Sequence, residues 1–148
     1  MFDQLADPTV CALSTALQHT RARLTRAISY LAAQPDSGFA EGWASMVAAT
    51  EATFRQEETI MDLAGYAGLP AHIAQDARVL AALHHVTARV EAGDTGIGRQ
   101  ALAALAAIVA THRYAVSSAA INVGRHAPAP ARDASKHLPR STSNYRAT

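Results

Sequence analysis

Apolar residues recur every three to four positions through four long stretches of the chain, and proline or glycine bounds each stretch. That period places the apolar positions on one face of an α-helix. In the first stretch Val10, Leu13, Leu17, Leu24, Ile28 and Leu31 share a face; in the second, Trp43, Met46, Val47, Thr50, Phe54, Ile60 and Met61 do. The third carries Leu80, Leu83, Thr87 and Val90, and the fourth Leu102, Leu105, Val109, Val116 and Val123. Asp7-Pro8-Thr9 reads as an N-cap followed by an N1 proline, opening a helix that runs to the residue before Pro35. Pro35-Asp36-Ser37-Gly38 reads as a turn. A second helix is expected from near residues 39–41 to Ala64, closed by Gly65. A third starts at about Pro70 and ends at Gly93, and a fourth is opened by Asp94-Thr95-Gly96 and stopped by Gly124. Each would be about 23–27 residues, or roughly 35–40 Å long. Four helices of similar length on short links predict an all-α, antiparallel up-down-up-down four-helix bundle, one domain over residues 1–123.

Composition sharpens this. Of 148 residues 49% are apolar, yet 35 are alanine and aromatics make up only 5%. Alanine is the best helix former and a poor strand former, which excludes a β-sandwich or a Rossmann sheet. The single cysteine, Cys11, excludes an internal disulfide and a cysteine-based metal cage, and reads as a small half-buried hydrophobe. No basic and apolar leader opens the sequence, and its longest uncharged apolar run is about 11 residues against the ~20 a membrane span needs. The expected compartment is the cytoplasm, with no membrane partner.

Net charge is +1 but unevenly spread. Residues up to Val123 hold 8 basic and 11 acidic side chains, whereas residues 124–148 hold 5 basic and 1 acidic. With three prolines, one leucine and no periodicity, residues 124–148 are expected to form a basic, disordered, solubilising tail. The arginines there lack interleaved aromatics and regular spacing, so nucleic acid is not an expected partner.

Every helix aims at least one strongly polar group inward. Arg21 projects within about 40° of the first apolar face, whereas His19 points nearly opposite. Thr53 and Glu57 fall inside the second face, His72 and Asp76 lie one turn apart on the third, and His112 lies about 60° from the centre of the fourth. Glu58 projects at the edge of its face as a rim carboxylate, and the adjacent His84 and His85 read as surface residues. Buried charges must meet one another or a metal. Glu57, His72, Asp76 and His112 come from three helices, where bundle cofactor sites are built, and such donors suit iron, manganese or zinc. A metal-free polar network of the same side chains is the alternative.

These residues carry a family resemblance. Thr53-Phe54-Arg55-Gln56-Glu57-Glu58-Thr59-Ile60-Met61, the Gly65-Tyr66 turn, His72 to Asp76 and His112 to Ser117 together resemble the hemerythrin-like family. Its members are four-helix bundles holding two non-haem irons, and they read His-Phe-x-x-Glu-Glu-x-x-Met, Gly-Tyr, His-x-x-x-His and His-x-x-x-x-Asp at these places. The resemblance spans about residues 10 to 123. Thr53, Asp76 and Ser117 stand where the family has histidine, histidine and aspartate, and Arg21 stands where it has the histidine of the first helix.

The resemblance therefore implies an altered ligand set. The iron that takes three histidines in the family would keep His72, His112 and the bridging Glu57, with Asp76 as a hard anionic donor. The other iron would be lost, its place faced by the permanent cation Arg21. A guanidinium suits that gap because its planar fork matches a carboxylate, here Glu57. Reversible O2 carriage takes an electron from each of two irons, so this chain is not expected to perform it. The expectation is one non-haem iron, or manganese or zinc, held by Glu57, His72, Asp76 and His112, sensing, storing or reacting with a small diatomic or a peroxide. Catalytic turnover is not implied. The competing expectation is a metal-free interaction or scaffold protein.

Overall fold

The computed structural model describes residues 8–123, with the side chains of Val10 and residues 112–123 outside the description. The roles expected of Val10, His112, Val116, Ser117 and Val123 and of the 124–148 tail therefore lie beyond the described residues. Four helices account for the described chain: α1 (Pro8–Ala32), α2 (Asp36–Leu63), α3 (Leu69–Glu91) and α4 (Thr95–Val123). Each packs on its sequence neighbour, α1 also packs on α4, and a lighter α2–α4 diagonal crosses the centre. The up-down-up-down bundle is thus as the periodicity predicts.

Two glycines make the turns that the sequence assigns them. Gly65 (φ 66°) and Gly93 (φ 97°) occupy the left-handed region that side chains disfavour. Around each, paired hydrogen bonds close the helix end: Gly65 N donates to Asp62 O at 2.9 Å and Tyr66 N to Met61 O at 3.0 Å. Gly93 N donates likewise to Val90 O and Asp94 N to Arg89 O, both at 2.9 Å. Asp94 then caps α4, accepting from Ile97 N at 3.1 Å, a bond that holds its carboxyl below the usual range.

Two expectations are corrected. Residues 35–38 are not a free turn: Pro35 is the N-cap of α2, and Asp36 opens the helix with a carboxylate at its positive end. Carbonyls at and just after the end of α1 are served from the neighbouring α4. Arg99 of α4 donates to Ala32 O at 3.3 Å, Gln34 O at 2.8 Å and Asp36 Oδ1 at 2.7 Å, while its guanidinium lies 4.7 Å from the Phe39 ring centre. Cys11 is exposed rather than half-buried, because it projects off the Leu13–Leu17 side of α1.

The main core joins Leu24, Ile28 and Leu31 of α1 to Phe39, Trp43, Met46 and Phe54 of α2, with Leu83, Val90, Leu102, Leu105 and Val109. Trp43 and Phe39 are wholly buried 6.0 Å apart, and Trp43 Nε1 donates to Thr87 Oγ1 at 3.0 Å. A smaller cluster of Leu17, Ile60 and Met61 packs with Leu13, Tyr66 and Leu69 at the opposite end.

Candidate metal centre

Between those apolar clusters lies a layer of charge. Helical phase delivers Arg21 from α1, Glu57 from α2, and His72 and Asp76 from α3; all four are buried, Asp76 to 1% and Glu57 to 2% exposure. His19 is exposed, so Arg21 holds the inward position of α1. Arg21 Nε donates to Glu57 Oε1 at 2.7 Å. The other Glu57 oxygen stands 3.9 Å from His72 Nε2, and Asp76 Oδ2 stands 3.1 Å from the same nitrogen. Thr53, on the turn before Glu57, is also buried.

Contact with Asp76 raises the His72 pKa above its ordinary value, burial opposes that rise, and the nearby charge of Asp76, Glu57 and Glu58 adds to it. Glu58 is also pushed up, chiefly by burial and then by repulsion from Asp76, while the charge of His72 pulls the other way. Half-buried Glu58 therefore belongs electrically to this layer rather than to the rim alone. Its place at the edge of the α2 stripe was the only sequence signal of that. His84 is a surface residue as expected, 2.6 Å from Glu51 Oε1.

Sequence phase thus brings three of the four expected donors together: Glu57, His72 and Asp76. The side chain of the fourth, His112, lies outside the described residues. Among the described residues no group of three or more His, Cys, Asp or Glu side chains is arranged to hold a metal ion as it stands. The arrangement is instead a relay of opposite charges, Arg21 to Glu57 and His72 to Asp76. Both Asp76 oxygens are buried and neither accepts a well-formed hydrogen bond from the described residues, although Oδ2 lies 3.1 Å from His72 Nε2 and a hydrogen bond to Asp76 favours the protonated form of Glu58. No helix of the described residues is long and apolar enough to cross a membrane.

No family model, curated protein or solved structure matches this chain.

Proposed function

We propose that the chain is a hemerythrin-like bundle whose remaining site binds one divalent metal ion, iron by the resemblance and manganese or zinc by the same donors, in exchange for protons. Glu57, His72 and Asp76 would hold the ion, with His112 as the fourth donor the sequence implies. The observation that carries the reading is the Asp76 carboxylate, 1% exposed, 3.1 Å from His72 Nε2, with neither oxygen accepting a well-formed hydrogen bond among the described residues. Such an oxygen is normally satisfied by a donor or a cation. His72 and Asp76 supply the imidazole and carboxylate donors that iron, manganese and zinc accept.

Electrostatics supports exchange with protons. Contact with Asp76 favours the protonated form of His72, and burial favours that of Glu58. A divalent cation would act the other way on both, since it favours an ionised carboxylate and a neutral imidazole. Ligands must be deprotonated to bind, so uptake of an ion should release protons and strengthen as pH rises. Bound there, iron would supply a redox-active centre for a small diatomic or a peroxide. Arg21, 2.7 Å from Glu57, would take the place of a second cation, which removes the two-metal chemistry of reversible O2 carriage.

The second reading, a metal-free interaction or scaffold protein, is favoured by the 2.7 Å Arg21–Glu57 pair, which satisfies one would-be ligand internally. Titration of chelator-stripped protein with Fe(II) or Zn(II), by calorimetry in two buffers of different ionisation enthalpy, separates them. One equivalent bound near pH 8 with protons released, and none bound by Asp76→Asn, supports the metal site. No uptake at that pH gives the metal-free reading.

A further inference from the structure

α1 and α4 face each other without a connecting loop, and where they meet their side chains are small. Ala106 and Ala110 of α4 and Ala22 of α1 leave a cleft of about 630 Å³. That volume lies within the range of roughly 300–1,000 Å³ typical of small-molecule sites. Its apolar wall adds Ile28 and Val109, both buried. The polar positions are neutral, Thr25 and Ser29 among them, except for two arginines. Arg21 forms the inner wall at 7% exposure, and Arg26 stands exposed at the rim. No carboxylate is among the described lining residues. Glu57, the partner of Arg21, approaches from α2 and does not line the cleft.

The charge of Arg21 is met by Glu57 at 2.7 Å, so Arg26, over a low-dielectric alanine wall with no carboxylate among the described lining residues, supplies the positive potential where an anion would enter. A guanidinium binds a carboxylate through parallel hydrogen bonds, whereas the alanine and valine wall offers only apolar contact. We propose that the α1–α4 cleft binds a small organic monocarboxylate with an apolar body, its head at Arg26 and its body along Ala106, Val109 and Ala110. This site is distinct from the metal reading and does not rest on it.

Decanoate is the probe, titrated calorimetrically into the full chain with chelator present, so that the outcome is independent of any metal. Decanol, which has the body without the charge, and inorganic phosphate, which has charge without the body, are the controls. Decanoate is expected to bind at least roughly tenfold more tightly than either, since a charge-assisted hydrogen bond and an apolar contact are both needed. Arg26→Ala should weaken it by roughly tenfold, and Ala106→Leu, which fills the cleft from an exposed position, should abolish it. Decanoate that does not bind, decanol or phosphate that matches it, or an affinity untouched by Ala106→Leu would overturn the proposal.

Discussion

The end of the bundle at the α1–α2 and α3–α4 turns differs sharply from its charged middle, though both are equally buried. At the turns, Phe39, Trp43, Leu31 and Val90 are 0–1% exposed, and the indole nitrogen is answered by a single neutral hydroxyl. In the middle, Glu57 and Asp76 are 1–2% exposed, yet they carry charge. Apolar burial of this kind contributes about 1.5–3 kcal/mol per large side chain. Burial of charge costs free energy that pairing only roughly returns, and replacing such networks by apolar groups is often neutral or stabilising. The difference teaches that the turn end folds the molecule, whereas the middle is held by that fold in a state it would not adopt for stability alone. Buried charge of that kind is what the proposed metal site would draw on.

Truncation should separate the two regions. Trp43→Ala removes the largest buried side chain and should cost about 3–5 kcal/mol, read as a lower denaturant midpoint at unchanged slope. A loss below about 1 kcal/mol would mean that the turn end is not the folding core. Gly98→Ala sharpens the same point. A Cβ there would meet Phe39 Cε1 at 2.6 Å and Val90 Cγ2 at 2.8 Å, so a change that normally favours helices should instead destabilise by about 1–3 kcal/mol.

The smallest effect is on pH dependence. His72 and Glu58 both hold protons more tightly in the folded state than their ordinary values of 6.5 and 4.5. A raised folded pKa means stability that is full below the unfolded pKa and is lost as pH rises through the folded one. Metal-free protein should therefore lose stability as pH rises above about 6.5, with the Glu58 share already declining above about 4.5. Asp76→Asn removes the largest cause of the His72 shift and should flatten the upper slope. Denaturant midpoints measured across that range check both, and an identical slope in Asp76→Asn would contradict the assignment.

Much of this was legible in the chain because helical phase is a strong signal. It placed Arg21 rather than His19 inside, set Glu57, His72 and Asp76 on facing stripes, and marked Gly65 and Gly93 as helix ends. Phase alone does not show what depends on distant partners. Pro-Asp-Ser-Gly suits a turn and a helix start equally, and the choice depends on Arg99, 63 residues later in the chain, binding Asp36 and the carbonyls beside it. Gly98 looks like a flaw in an alanine-rich helix until the Phe39 ring is seen against it. Glu58 sits at a stripe edge, where a few degrees of rotation decide between rim and site. Protonation is also invisible to spacing, since the tight hold of His72 on its proton comes from the 3.1 Å approach of Asp76.

Arg21 is proposed to supply the cation that buried Glu57 requires in place of a second metal, and a double-mutant cycle on that pair tests the compensation most directly. Arg21→Leu leaves Glu57 buried without its cation and should cost roughly 3–5 kcal/mol in metal-free protein. Glu57→Gln leaves the Arg21 charge without its carboxylate and should also destabilise. The two together should cost clearly less than their sum, with a coupling energy of about 1–3 kcal/mol. A coupling energy near zero would show that the 2.7 Å contact carries no charge compensation, and the account of a one-metal site completed by an arginine would fall with it.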